Sequence, residues 1–206
     1  MKILASDLTV PETYKLLTGV VVPRPIAWIS TLSEAGHVNL APFSCFTFVS
    51  SEPPMIGVSI GGGMRGLKDT PGNMRRTGEF VVNIADDSMI QQVHATSFDF
   101  PPDVSEAEKF GLATIPSDIV GCPRLRDVPV SMECRFSTAA KFGQGATEFY
   151  VGEVVCFHIR DELYQNGKVH TAQLRPICRI AGPNYATLGP IVTQSAPGHW
   201  GPPGAQ

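Results

Sequence analysis

Charge is scarce in this sequence. Only 17% of its 206 residues are Asp, Glu, Lys or Arg, the formal charge is −3, and the cations are scattered. A general nucleic-acid-binding face is not expected from such a balance, although a local cationic pocket is compatible with it. No run approaches the ~20 apolar residues of a membrane span. Residues 1–20 carry Asp7 and Glu12 where a secretory leader needs an apolar centre. His-Glu-x-x-His, Cys-x-x-Cys, Gly-x-Ser-x-Gly and the Walker A loop are all absent, which removes the common signatures of metal-dependent hydrolysis, dithiol exchange, serine hydrolysis and P-loop chemistry. The five cysteines (Cys45, Cys122, Cys134, Cys156 and Cys178) are odd in number and far apart. With no secretory signal they read as buried reduced thiols, the pattern of a cytoplasmic protein.

What the chain has is apolar residues and turns: 43% hydrophobic, with 20 glycines and 18 prolines. That combination favours an all-β or α+β domain over a helical bundle. A unit over 1–190 and a Pro/Gly-rich tail over 191–206 are expected. Thr9 and Glu12 have capping-box spacing for a helix over 12–17 ended by Gly19. Strands are expected over 26–32, 55–60, 80–85, 130–138, 149–160 and 174–180, the fifth of them central. Asp69 or Thr70 can cap a helix with Pro71 at its first position and Gly78 past its end. Ser88 can cap a helix over 89–94, and Ser105 with Glu108 a short one ended by Gly111. Pro42 marks an edge or a break in the strand that follows the Gly36 turn.

The stretch from Pro23 to Thr70 carries the functional signal. It contains Arg24-Pro25-Ile26-Ala27-Trp28-Ile29-Ser30-Thr31, then Asn39-Leu40-Ala41-Pro42-Phe43-Ser44, the Pro53-Pro54 pair and Lys68-Asp69-Thr70, with Glu79-Phe80-Val81-Val82-Asn83 beyond it. In order and spacing these pieces resemble the flavin reductase-like family, with weaker echoes as far as Leu174-Arg175-Pro176. The resemblance implies an antiparallel split β-barrel with flanking short helices that binds FMN, dimerises, and holds the flavin in a groove at the interface. It implies that Trp28, Ser30, Thr31, Asn39, Ala41, Pro42, Phe43, Ser44, Ser59, Lys68, Asp69 and Thr70 bind the cofactor.

The residues themselves leave alternatives open. Trp28 is by type a core residue, and Pro42 can simply blunt an edge. Lys68 and Arg65 before a helix N-terminus make a phosphate site or an ordinary capped helix with a solvated lysine. Gly61-Gly62-Gly63 lacks the spacing of a dinucleotide fingerprint. His37, His158, His170 and His199 stand alone, His94 lies where family members approach the cofactor, and Glu133 can pair with Arg135 or a partner subunit. Residues 98–102, with two aromatics and two prolines, are a candidate lid or subunit contact. No catalytic side chain and no metal ligand set are assigned.

By resemblance the function is an FMN-dependent oxidoreductase using NADH or NADPH, with a partner monooxygenase as a possible acceptor. A flavoredoxin-like electron carrier, a flavin enzyme with an organic substrate and a binding protein without flavin are the alternatives. The lack of acid–base motifs agrees with flavin chemistry, in which the cofactor carries the reaction and the protein supplies position and electrostatics.

Overall fold

The computed structural model describes residues 1–62 and 68–194. Its centre is one seven-stranded antiparallel sheet. The strands are β1 (Ala27–Leu32), β2 (Val38–Phe43), β3 (Phe46–Ser51), β4 (Pro54–Ile60), β5 (Glu79–Ile84), β6 (Val130–Lys141) and β7 (Glu148–Ile159). Their spatial order is β2-β1-β5-β6-β7-β4-β3. The two edge strands, β2 and β3, are consecutive in the chain, with only Ser44 and Cys45 between them. The sheet must therefore curl until its edges meet at that corner, where the Ser59 N–H donates to the Cys45 carbonyl at 2.8 Å. This closure makes the barrel.

The pleat sorts the side chains. On β1, Ala27 and Ile29 point into the barrel with Val58, Phe80, Val82 and Tyr150, while Trp28 points outward to pack with Leu40, Val93 and Ile177. Burial on both faces is what the unbroken apolar run of β1 calls for. Two glycines let the wall close over aromatic rings. A Cβ on Gly57 would lie 2.1 Å from Phe149 Cζ, and one on Gly152 would lie 2.5 Å from Phe80 Cζ.

Helix α1 (Val10–Val20) opens on the capping box: the Thr9 N–H donates to Glu12 Oε2 at 2.8 Å. It runs through Gly19 rather than stopping there, because the Val21 N–H still reaches the Leu17 carbonyl at 2.9 Å. Helix α2 (Asp69–Thr77) ends as expected at Gly78, whose φ of 71° is left-handed. Its start differs from expectation. Lys68 takes the N-cap place without a side-chain cap, and Pro71 is the third helical residue. Proline fits there because none of the first four helical N–H groups has an intrahelical acceptor.

Helix α3 (Ile90–Ala95) follows a 3-10 turn capped by Asp86, which accepts from the Ser88 N–H at 3.0 Å, so the cap is Asp86 and not Ser88. Helix α4 (Glu106–Lys109) has the expected Ser105 cap. In place of a strand over 174–180 there is a short helix Thr171–Leu174, then Arg175 at φ 46°, a single bridge from Pro176 to Asp86, and a two-residue strand Cys178–Arg179 between Arg24–Pro25 and Tyr185–Ala186. A left-handed residue followed by Pro176 cannot sit inside a ladder.

Glu133 was expected beside Arg135 or a partner subunit, and His158 alone. They meet each other instead. Glu133 is fully buried on β6 and accepts from the N–H groups of Asp118, Ile119 and Val120 at 2.7, 2.7 and 3.0 Å, with His158 Nε2 at 2.6 Å. Asp118 and Cys156 lie close by. Both carboxylate oxygens are committed to the loop amides and the imidazole, so the group acts as a clasp of that loop to the barrel. All five cysteines are free thiols, but Cys45 is exposed and Cys156 half-buried, against the expectation of uniform burial. No described helix is long and apolar enough to cross a membrane.

Candidate functional site

Three adjoining hollows meet at Pro42 and Lys68. The largest, about 710 Å³, runs past the corner where the barrel edges meet and is lined by Ser44, Ser59, Gly61, Gly62 and Thr147. A second, about 200 Å³, lies against the start of α2 and is lined by Asn39, Ala41, Asp69, Thr70 and Phe98. The third, about 340 Å³, lies between α1 and the turn after Arg179 and is lined by Tyr14, Arg24, Phe43, Ser97 and Tyr185. The topology explains the meeting point. Strand β2 ends the sheet, so its last residues, with the prolyl nitrogen of Pro42 among them, face a trough instead of another strand.

The expected site residues divide into two sets. Asn39, Ala41, Pro42, Phe43, Ser44, Ser59, Lys68, Asp69 and Thr70 line one or more of the hollows. Trp28, Ser30 and Thr31 are fully buried and line none of the three. The Trp28 indole N–H donates to Thr96 Oγ1 at 2.9 Å, and the Ser30 hydroxyl to the Pro123 carbonyl at 2.9 Å. Thr31 Oγ1 accepts from Asn39 and Asn73, at 3.2 and 3.1 Å, and Asn39 also donates to Thr70 Oγ1 at 2.9 Å. These amides and hydroxyls tie the start of α2 to β1 and β2. They fix the wall from behind, so Asn39 spends its donors on positioning. Arg65 and Gly63 lie outside the described residues, as do residues 195–206 of the expected tail.

Electrostatically the trough has two ends. The hollow at α2 carries Asp69, Asp99 and Glu106. Burial pushes the Glu106 carboxyl up, partly countered by the Leu40 N–H that donates to it at 2.9 Å. The hollow at α1 carries Arg24, Lys68 and Arg179 and, among the described residues, no carboxylate. Arg24 is buried and caps α1 from its C-terminal side, donating to the Thr18 and Val21 carbonyls at 2.8 Å each. A cation there is favoured by the helix dipole. Lys68 lies 5.6 Å from the Phe43 ring centroid and 4.0 Å from Asp99.

Sequence reasoning missed Tyr14, Thr18, Ser97, Thr147, Arg179 and Tyr185 among the lining residues. Arg24 was visible as part of the motif but without a role. His94 lines none of the three hollows; it stands behind Tyr185, Nδ1 to Oη 3.2 Å, with Phe98 packed edge-on at 5.4 Å between ring centroids.

FMN fits these residues. A ribityl phosphate needs hydroxyls, close backbone approach and a cation, which Ser44, Ser59, Thr147, Gly61, Gly62 and Lys68 offer in one hollow. A flat polar ring edge needs free backbone donors, which the unpaired N–H groups at the start of α2 offer in the next.

Comparison with known proteins agrees with that chemistry. The sequence profile described as the flavin reductase like domain matches residues 19–173. Nitrilotriacetate monooxygenase component B from Bacillus cereus superposes with a TM-score of 0.91 at 36% identity, covering 94% of this chain and 98% of that one. The 2-nitrobenzoate 2-nitroreductase of Pseudomonas fluorescens superposes with a TM-score of 0.90 at 31% identity, covering 99% and 100%. A split barrel domain protein from Shewanella frigidimarina shares the fold, with a TM-score of 0.84 at 20% identity, covering 95% and 99%.

Proposed function

The chain belongs to the flavin reductase-like family, and on that premise we propose that it is an FMN-dependent oxidoreductase that takes electrons from NADH or NADPH. The observation that carries this reading is the trough itself: three hollows of different lining that share Pro42 and Lys68. In this proposal the phosphate end lies with Ser44, Ser59, Gly61 and Lys68. The sequence offers the N-terminus of α2 as a phosphate site, with an ordinary capped helix as the alternative. The carboxylates Asp69, Asp99 and Glu106 around that hollow oppose a dianion, which moves the phosphate to the hydroxyl-lined side. The α2 N-terminus then faces the ring's polar edge, and Pro42 and Phe43 underlie the ring. When bound, FMN supplies the redox chemistry. The protein holds it, keeps its face open to a nicotinamide and excludes competing geometries.

Anaerobic stopped-flow mixing of the FMN-loaded protein with NADH and with NADPH tests the donor. Bleaching of the flavin absorbance within seconds by at least one of them is expected. Failure of both, with FMN bound stoichiometrically, overturns the nicotinamide assignment. Transfer of the reduced flavin to a separate monooxygenase component is the destination suggested by the Bacillus cereus relative, itself described as a component B. Cytoplasmic residence completes the reading and rests on the five free thiols.

The working unit in this proposal is a homodimer. Helix α1 buries no residue, yet Val10, Tyr14, Leu17 and Val21 form one apolar stripe on it, and Phe48 and Val49 lie exposed on edge strand β3. An apolar stripe of that kind needs a partner. Because Tyr14 and Thr18 of α1 also line the trough, association would brace the flavin site, and residues 98–102 remain the candidate reaching segment. Sedimentation at micromolar concentration, read at the flavin absorbance, should show the flavin moving with a dimer. A stable monomer carrying stoichiometric FMN sinks the shared site.

A further inference from the structure

The hollow at α1 has chemistry that FMN leaves unused. Among the described residues three cations line it, and no Asp or Glu does. Arg24 is already engaged, and Lys68 belongs to the proposed phosphate site. Arg24 gives Nη1 to the Thr18 and Val21 carbonyls, Nη2 to the Ile180 carbonyl at 3.3 Å and Nε to Ser44 Oγ at 3.4 Å. Lys68 is shared with the other two hollows. Arg179 differs. Its Nη1 donates to Tyr185 Oη at 2.6 Å, its guanidinium lies 4.7 Å from the Tyr185 ring centroid, and no carboxylate pairs with it among the described residues.

Tyr185 is itself held. Since arginine is always a donor, Tyr185 Oη accepts from Arg179, and the same oxygen is hydrogen-bonded to His94 Nδ1 at 3.2 Å. Burial raises the Tyr185 phenol above its ordinary range, so it stays neutral and leaves the cation uncompensated. His94 is packed edge-on between the rings of Phe98 and Tyr185. The result is a half-buried guanidinium set in place before any ligand arrives, beside the aromatic rings of Tyr14, Phe43 and Tyr185. Pre-organisation of this kind lowers the cost of binding.

We propose that this hollow binds a small aromatic carboxylate, with the Arg179 guanidinium as its anion-binding group and Tyr185 and His94 as positioning residues. The proposal rests on the flavin reading above, which puts the FMN ring along Pro42 and Phe43 at the edge of the same hollow. An arginine with free nitrogens offers a carboxylate two parallel donors, the geometry in which it outdoes lysine. The volume, about 340 Å³, suits a one-ring acid and is small for a whole dinucleotide. A carboxylate anchored there lies beside the flavin ring, in the position of an organic reactant.

Calorimetry with benzoate and with its neutral isostere benzamide reads the site directly, on FMN-loaded and on flavin-free protein. Benzoate is expected to bind at least tenfold more tightly than benzamide. Arg179→Gln should weaken benzoate at least tenfold while changing FMN affinity less than twofold. Tyr185→Phe, which keeps the ring, should weaken benzoate severalfold and leave FMN unchanged, and it serves where Arg179→Gln does not fold. Equal binding of benzoate and benzamide overturns the proposal. So does an Arg179→Gln variant that loses FMN as much as benzoate, since Arg179 would then be a flavin ligand. ADP binding tenfold tighter than benzoate, and lost with Arg179, also overturns it in favour of a phosphate. Wild-type protein that binds benzoate through Arg179 but never binds FMN upholds the anion site and sinks the flavin reading alone.

Discussion

Lys68→Ala is expected to weaken FMN binding by roughly 1.5–3 kcal/mol, the range for a lost hydrogen bond to a charged group, or about tenfold to a hundredfold in Kd. The reason is geometric. Lys68 lines all three hollows, at the point where the chain turns into α2. Within the hydroxyl-lined hollow Ser44, Ser59 and Thr147 offer hydrogen bonds and Arg24 is committed to the end of α1, so among the described residues Lys68 is the cation with an end free to meet a phosphate. Its contact with Asp99 is long, at 4.0 Å, and its side chain is about a third exposed, so that pair competes weakly.

Lys68→Arg should recover most of the affinity, and the wild-type affinity should fall with added salt more steeply than that of the alanine variant. Fluorescence titration of FMN against both variants, with thermal melts to show that the fold is kept, measures this. An unchanged Kd in Lys68→Ala removes Lys68 from the phosphate site.

How much of this was readable in advance follows from how far apart the interacting residues lie. The Thr9–Glu12 box, the left-handed Gly78 and the Ser105 cap are contacts within one turn, and local chemistry specifies them. The β1, β5, β6 and β7 strands follow from apolar patterning, and the position of Pro42 on an edge follows from its missing N–H. The family resemblance supplied what patterning could not, the barrel closure and most of the trough lining. It also put Trp28, Ser30 and Thr31 at the flavin; all three side chains are fully buried and line none of the three hollows.

The other half of the trough was invisible. Arg24 reaches the Ile180 carbonyl 156 residues away, Glu106 takes the Leu40 N–H 66 residues away, and Tyr185 meets His94 from 91 residues away. None of these pairs has a spacing signature. The pairing of the short Arg24–Pro25 and Cys178–Arg179 strands brings the 178–186 turn to Arg24, and α4 packs against β2 to bring Glu106 to Leu40.

The other large effect is expected at Glu133. Glu133→Gln should destabilise the fold by about 3–5 kcal/mol, the loss of roughly two hydrogen bonds to a buried carboxylate at about 1.5–3 kcal/mol each, or on the order of 10 °C in Tm for a chain of this size. An amide side chain offers one acceptor oxygen. Its NH2 would have to face either the Asp118 N–H with the imidazole or the N–H groups of Ile119 and Val120, donor against donor. The pH dependence separates this charge effect from a packing effect. Burial alone would raise the Glu133 carboxyl, but the Asp118, Ile119 and Val120 amides and His158 hold it down to about 2, against 4.5 for a free glutamate.

A carboxyl whose folded pKa is depressed contributes stability that is complete above its unfolded pKa and is lost as pH falls through the folded one. The stability gap between wild type and Glu133→Gln should therefore stay open from neutral pH to about 4.5 and narrow steadily toward pH 2. Chemical denaturation of both proteins at half-unit steps across that window measures it. A gap that stays constant from pH 7 to 2 would mean that the carboxylate's charge plays no part, and that the loop over residues 118–120 is held by shape.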